Sequence, residues 1–332
     1  MNTIKCGHIS KSGNRVNYFV NDLNSLLYVI LPIFNNVNLN SSKYYQFELF
    51  KKAILLTKDK QHLLPEGKSN IIKYKKGIQD LSLGKYLPGS RSNYINITKY
   101  WLAGFIDAEG SFSTNKYVPR FKIENHFKEL ELYQKMKEFI GVGNIILTSP
   151  RLDKINSNPT IVLEVNKISE LINIFIPLMY DDEGLLLKTL KLEDFKLWLK
   201  LIDIYFKGYH TTLEGKYIFD AIKLHINKYR LTTNINLLHN KNRISISDIN
   251  NLLNKLYLLE SPYEIKEGLR YYRNTDRLVS ESTKVVAIDS YNNKTVYKSM
   301  TECATSLNIS RRKIKSCLST GKSYNGFSFT YN

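Results

Sequence analysis

The chain has 332 residues, enough for two or three domains, and carries 48 Lys and Arg against 30 Asp and Glu, a formal net charge of +18. That excess points to a polyanionic partner, nucleic acid before an anionic membrane surface. Three cysteines, Cys6, Cys303 and Cys317, without a CxxC pair do not build a disulfide scaffold or a zinc site, and the longest apolar run, over residues 26–34, is far below the ~20 residues that span a bilayer. The first residues show neither a signal-peptide core nor an Arg-rich amphipathic presequence. Usage dominated by Asn, Lys, Ile, Tyr and Leu, with little Ala, is that of an AT-rich gene.

The first elements in chain order recur later in the chain. "YFVNDLNSLLYVILPIF" (residues 18–34) follows the apolar pattern of "LEVNKISELINIFIPLM" (residues 163–179): Val20 aligns with Val165, Leu26 with Leu171 and Pro32 with Pro177, at an offset of 145. Lys43 and Phe47 then align with Lys191 and Phe195, and His62 and Gly67 with His210 and Gly215, at an offset of 148. The second copy therefore carries a three-residue insertion, expected within "YDDEGLLL". The two His-x-x-x-Glu-Gly elements read as structural turns. The first copy starts where the "GVGNIIL" strand of the second starts, so it lacks the elements that precede that strand.

Those elements begin at Thr98, which reads as the N-cap of a helix running through Ala108. Gly104 and Ala108 share one face, with Ala103 beside it, so another helix can approach closely. Leu102, Phe105 and Ile106 lie on a different face and can enter a core. Gly110 is expected to end the helix with a positive φ, leaving Glu109 projecting from its C-terminal end. Two strands follow, "GSFSTNKYV" and "PRFKIENHF". In the second, Phe121 and Ile123 alternate with Arg120, Lys122, Glu124 and His126, giving one apolar face and one polar, mostly basic face. The helix "ELELYQKMKEFIG" stops at Gly141, and two more strands, "GNIILTS" and "PTIVLEVN", lead into two helices. The order is αββαββα, an antiparallel sheet covered by helices on one side.

Residues 236–282 read as helix and then charged linker. From residue 284, "KVVAIDSYNNKTVYKS" is a hairpin around Asn292 and Asn293. Ser299 and Glu302 form a capping box, Ser310 caps "RRKIKSCL", and "YNGFSFTY" closes the segment as a strand. The second of these short helices carries Arg311, Arg312, Lys313 and Lys315, the residues a helix-turn-helix reader presents to DNA.

"LAGFIDAEG" (residues 102–110), small residues on one helix face followed by acid-x-acid-Gly, in a duplicated αββαββα frame, resembles the LAGLIDADG homing endonucleases, and the C-terminal segment resembles the NUMOD-type helix-turn-helix modules appended to them. The resemblance covers most of residues 1–235. It implies an α+β fold of two αββαββα units, the first N-terminally truncated, forming an antiparallel-sheet DNA-binding saddle, with a small helix-turn-helix domain behind. The domains expected are a partial first unit at 1–83, a linker at 84–98, a complete second unit at 99–235, a helical segment and linker at 236–282, and the helix-turn-helix module at 283–332.

The resemblance also implies the chemistry. Glu109 matches the acid that binds Mg²⁺ or Mn²⁺ beside the scissile phosphate, with the Ala108 carbonyl as a further ligand. Lys191 matches the family's pocket lysine, Lys43 is its first-copy counterpart, and Asn125 falls at a polar pocket position. Ala103, Gly104, Asp107 and Gly110 belong to helix packing and the helix junction. Lys116, Arg120, Lys122 and His126 face DNA on the sheet. The function implied is an intron-encoded, site-specific DNA endonuclease that makes double-strand cuts for intron homing. The alternatives are an RNA maturase binding its host intron, or a DNA-binding relative with an inactive site. An upstream segment completing the first unit would make a monomer; otherwise a homodimer is expected. With the AT-rich usage, the resemblance implies an organelle-encoded protein of the mitochondrial matrix.

Overall fold

The computed structural model describes residues 4–13, 15–37, 39–84, 89–90, 92–150, 158–226, 244–267, 269–279, 284–297 and 299–331. The expected boundary between residues 235 and 236 lies outside them. The chain divides into two compact units, one comprising residues 1–206 and 213–253 and the other residues 207–212 and 254–332. Both copies of the repeat lie in the first unit, apart from residues 207–212 of the second copy.

The first copy is a hairpin, β1 (His8–Ser12) and β2 (Arg15–Phe19), then a helix α1 in three pieces (Leu23–Ser25, Leu26–Ile30, Leu31–Asn36), α2 (Lys43–Lys58) and α3 (Pro65–Ser82). The second copy opens with α4 (Lys99–Glu109), β3 (Gly110–Asn115), β4 (Val118–His126) and α5 (Leu130–Ile140). It then repeats the first: β5 (Asn144–Thr148), β6 (Thr160–Val165), α6 (Ile168–Glu170, Leu171–Phe175, Ile176–Leu178), α7 (Lys191–Phe206) and α8 (Leu213–Lys223). The inserted residues form a small hairpin of their own, β7 (Tyr180–Asp181) with β8 (Gly184–Leu185).

The duplication extends to irregular features. The middle pieces of α1 and α6 are both π-helical and start at Leu26 and Leu171. Each precedes a proline, Pro32 or Pro177, which has no N–H to give to the carbonyl four residues back. The ladder widens there, and the N–H of Leu31 reaches Leu26 O as that of Ile176 reaches Leu171 O. Gly7 and Gly143, each ahead of the first strand of its hairpin, both have left-handed backbones, φ 78° and 93°. A Cβ on Gly7 would strike Phe19 O and Val20 Cγ2, and one on Gly143 would strike Glu164 O and Val165 Cγ2, the matching atoms.

The second copy holds a four-stranded antiparallel sheet in the order β3-β4-β6-β5. Its inner face carries Phe112, Phe121, Ile123, Ile161, Leu163 and Val165, all fully buried. Trp198, Phe195 and Phe175 close over it, with Phe112 and Trp198 ring centroids 5.1 Å apart and those of Phe121 and Phe175 4.1 Å apart. The copies are joined by polar contacts: Asn40 donates to Asn96 O at 2.7 Å and accepts from its N–H at 3.0 Å, and the Ser42 N–H donates to Glu129 at 2.9 Å.

The second unit corrects the expected linker. Between α9 (Ile246–Leu258) and residue 279 the chain forms a hairpin, β9 (Tyr263–Lys266) and β10 (Leu269–Tyr272), and it groups with the C-terminal segment. That segment has β11 (Val285–Ile288), β12 (Lys294–Tyr297), α10 (Met300–Ser306), α11 (Arg311–Thr320) and β13 (Ser328–Tyr331), with sheet order β12-β11-β13. Ser299 and Ser310 cap the two helices, accepting from the N–H groups of Glu302 and Lys313. Among the described residues, no helix is long and apolar enough to cross a membrane.

Candidate active site and nucleic-acid face

The site is built around the end of α4. Thr98 caps its start, accepting from the Trp101 N–H at 3.2 Å. Leu102, Ala103 and Ile106 are buried, whereas Gly104 and Ala108 are exposed and a Cβ at Gly104 would meet open space. Phe105 is half-buried and stacks on Trp101 at 4.9 Å. Gly110 corrects the expectation of a positive φ. Its φ is −68° and ψ 149°, ordinary extended backbone. Glycine is needed there for space instead, since a Cβ would lie 2.7 Å from Ile106 O and 2.8 Å from Ile106 Cγ2.

The two acids of the motif diverge. Asp107 turns onto the turn that launches α7, accepting from the Lys188 N–H at 3.0 Å and the Thr189 hydroxyl at 2.8 Å. Thr189 Oγ1 in turn accepts from the Lys191 N–H at 3.1 Å. Lys191 is thereby held at the first residue of α7, and its ammonium donates to Gly110 O at 2.7 Å. Glu109 is exposed. It stands at the negative end of the α4 dipole, where a carboxylate is disfavoured and a cation is favoured.

Tyr133, on α5, was not singled out by the sequence. It is fully buried, and its hydroxyl has no hydrogen-bond partner among the described residues. Burial, reinforced by the charges of Glu109, Glu129 and Glu124, holds its pKa well above the usual phenol value. Nothing in the local pattern distinguishes it from the other buried residues of α5.

Lys43 occupies the first residue of α2 as Lys191 does of α7, but its ammonium donates to Gln46 Oε1 at 3.3 Å rather than to the end of a motif helix. Asn125 shares a strand parity with Phe121 and Ile123, and its Oδ1 accepts from the His126 N–H at 2.8 Å. The structure thus brings Asp107, Ala108, Glu109, Gly110 and Lys191 together at the end of α4.

The open face of the sheet is less basic than the alternation of β4 indicated. Arg120 pairs with Glu164 at 3.1 Å and Lys122 with Glu124 at 3.1 Å. His126 Nδ1 accepts from the Lys128 N–H at 3.1 Å. Lys116 stands exposed at the β3–β4 turn with φ 55°. In the second unit, Arg311, Arg312, Lys313 and Lys315 are all exposed on α11, with Ile314 and Cys317 turned into the core. Lys313 lies 4.6 Å over the Tyr324 ring.

Comparison with known proteins adds to this geometry. The family model described as LAGLIDADG endonuclease matches residues 1–54 and 102–202. The chain is 24% identical over 316 residues to the "Uncharacterized mitochondrial protein RF1" of Saccharomyces cerevisiae, covering 88% of this chain and 63% of that protein. It is 27% identical over 232 residues to "Probable intron-encoded endonuclease 3" of Neurospora crassa, 63% of this chain and 41% of that one. To "Probable intron-encoded endonuclease Cox1-I1b" of Schizosaccharomyces pombe it is 28% identical over 174 residues, 51% and 42% of the two chains. The chain therefore spans less than two thirds of each of these relatives. Among solved structures, the I-SmaMI LAGLIDADG homing endonuclease bound to cleaved DNA superposes with a TM-score of 0.56 at 25% identity, covering 68% of this chain and 79% of that one. I-SmaMI bound to an uncleaved DNA target in the presence of calcium ions gives 0.54 at 25% identity, covering 67% and 79%. I-GzeII in complex with its DNA target gives 0.52 at 25% identity, covering 68% and 81%. Residues 1–54 and 102–202 thus match the LAGLIDADG endonuclease family model, and the chain shares with solved LAGLIDADG homing endonucleases a mixed fold of helices on an antiparallel sheet.

Proposed function

We propose that the protein is a site-specific DNA endonuclease of the intron-homing kind, using Mg²⁺ or Mn²⁺ to cut double-stranded DNA. The observation that carries the proposal is the end of α4: an exposed Glu109 with the Lys191 ammonium fixed on the next carbonyl, 2.7 Å from Gly110 O. Among the described residues no three His, Cys, Asp or Glu side chains cluster as a metal cage. That donor set fits Mg²⁺ at a nuclease centre, which takes one or two carboxylates and completes its octahedron with waters and substrate phosphate oxygens. Glu109 and the Ala108 carbonyl would hold the ion. When bound, it would supply Lewis-acid stabilisation of the charge that builds on the scissile phosphate.

The chain's own groups do the rest. Lys191 is a donor-only ammonium placed to neutralise phosphate charge without taking a proton from it. Asp107 positions it by fixing residues 188 and 189. Arg120, Lys122, Lys116 and His126 line the path of the duplex. Because Arg120 and Lys122 are already oriented by carboxylates, they contribute register more than net attraction. We assign most of the phosphate attraction to α11, read as the second helix of a NUMOD-type helix-turn-helix, through Arg311, Arg312, Lys313 and Lys315. The names of the relatives, one mitochondrial and two intron-encoded, support an intron-encoded mitochondrial protein, which we place in the matrix.

The test is incubation of the chain and of Glu109→Gln with an AT-rich target library and Mg²⁺, followed by sequencing of the new ends. Ends at one site that vanish with Glu109→Gln establish the endonuclease. Among the described residues Lys43 donates to Gln46 rather than to the end of a motif helix, and this favours a second reading, in which the same surfaces assist splicing of a host intron RNA. Binding without cleavage, together with faster splicing of that RNA at fixed salt, would establish it instead.

A further inference from the structure

We infer that the connection from α2 to α3, with the outer face of α3, is a contact surface for the headgroup layer of an anionic phospholipid membrane. Leu63, Leu64 and Ile72 are 61%, 58% and 69% exposed. On α3, Lys68, Lys75 and Lys76 stand three or four residues from Ile72, so they share its face. Lys58 and Lys60 precede the leucines, and all five of these lysines are exposed. Residues 58–76 hold six lysines against two acids, Asp59 and Glu66. Among the described residues, no acid pairs with Lys68, Lys75 or Lys76.

The second copy forms the same elements without this combination. Its matching residues 206–224 hold three lysines against two acids, and Thr211, Thr212 and Asp220 stand at the positions of Leu63, Leu64 and Ile72. Lys223, the counterpart of Lys75, pairs with Asp220 at 2.9 Å. Both copies make a 3₁₀ turn ahead of the helix, Gln61–Leu63 and Tyr209–Thr211, so the turn itself does not call for leucine. The face is also an outer one in both copies: Leu213, Glu214, Tyr217 and Asp220, the counterparts of Pro65, Glu66, Ser69 and Ile72, are exposed as well.

Apolar groups set among unpaired cations select the partner. A phosphodiester backbone neutralises the lysines but gives Leu63, Leu64 and Ile72 nothing to be buried in. A second copy of this chain would bury them only by bringing two sets of lysines together. An anionic bilayer surface satisfies both. The apolar side chains enter the boundary between headgroups and acyl chains, and the lysine stems run beside them and leave the ammonium groups at the level of the lipid phosphates. The contact lies on the membrane surface and does not rest on the nuclease chemistry.

The experiment is co-sedimentation of the full chain with vesicles of phosphatidylcholine, alone and mixed with anionic phosphatidylglycerol, at low and at high salt. The chain should bind the mixed vesicles and keep part of that binding at high salt, where the attraction of its other cations is screened. Leu63→Thr, Leu64→Thr and Ile72→Asn combined leave the charge unchanged and should weaken binding about 10-fold or more at both salts. Lys68→Gln, Lys75→Gln and Lys76→Gln combined should weaken it about 10-fold or more at low salt. Leu64→Trp should gain fluorescence quenched by brominated acyl chains, which reads insertion directly. Binding unchanged in the apolar variant overturns the proposal, and so does equal binding to uncharged vesicles. Loss of DNA or RNA affinity in the lysine variant with vesicle binding intact also overturns it and gives the face to nucleic acid. All of these side chains are exposed, so urea midpoints equal to that of the wild type show that each variant is folded. Cleavage is not a readout, so a chain that never cuts DNA leaves this test intact.

Discussion

The hairpin and three helices that the two copies share lie at matching offsets, yet in the second copy α4, β3, β4 and α5 cover them, and in the first, among the described residues, no such elements do. Phe50 and Trp198 begin from the same place, the third turn of a helix opened by a lysine, and finish 39% and 0% exposed. Local sequence sets the helix in both cases; burial needs Phe112, whose ring meets Trp198 at 5.1 Å only in the second copy. The difference shows that the repeat's secondary structure forms without the packing that makes it stable, as capping, proline placement and strand pairing would have it.

The largest effect separating the copies is chemical. Glu109→Gln, read by cleavage rate with DNA affinity as control, is expected to cost about 10³-fold or more in rate, the scale of losing a metal's carboxylate ligand, while affinity changes little. Equal losses in both would break the assignment of Glu109 to chemistry. Next comes packing. Trp198→Ala should destabilise the first unit by about 3–5 kcal/mol in denaturant unfolding, and Phe50→Ala by under about 1 kcal/mol. Similar costs at the two sites would mean that the first-copy face is covered after all.

Two smaller effects sharpen the comparison. Gly7→Ala and Gly143→Ala each place a Cβ against the same pair of atoms at a left-handed backbone, so each should cost about 1 kcal/mol or more. If Gly7→Ala costs nothing, the first hairpin is not held as the second is. Tyr133 belongs to the second copy, and its buried hydroxyl has no partner among the described residues. Tyr133→Phe should be neutral or stabilising by about 1 kcal/mol. Its raised pKa also fixes a sign: the wild-type chain loses stability as pH rises above about 10, the unfolded phenol value, and the Phe variant should lose less. Urea midpoints at neutral and alkaline pH decide both points.

Much of the fold was legible because its signals are local. Thr98, Ser299 and Ser310 cap the helices the sequence assigned them, and Gly141 and Gly321 end theirs in the left-handed region. The site was legible in part. The motif announced a helix end bearing two acids, but their division of labour depends on residues 188 and 189, some eighty positions away. Gly110 was assigned a positive φ because helices often end that way; crowding by Ile106 is the actual constraint. The β4 alternation suggested a basic platform, and Glu164 undoes half of it from a strand whose place beside β4 no local pattern states. The tyrosine- and arginine-bearing run at residues 263–272 read as charged linker because its strands are short and carry no strict alternation.

By itself the sequence determined the elements, their caps, the repeat and its offsets, since each depends on neighbours a few residues apart or on one segment resembling another. Tertiary structure alone decided which of two equivalent faces is buried, which acid turns inward, and which cations are already paired. Those outcomes depend on which distant side chains meet, and burial and ion pairing have no counterpart in the order of residues along the chain.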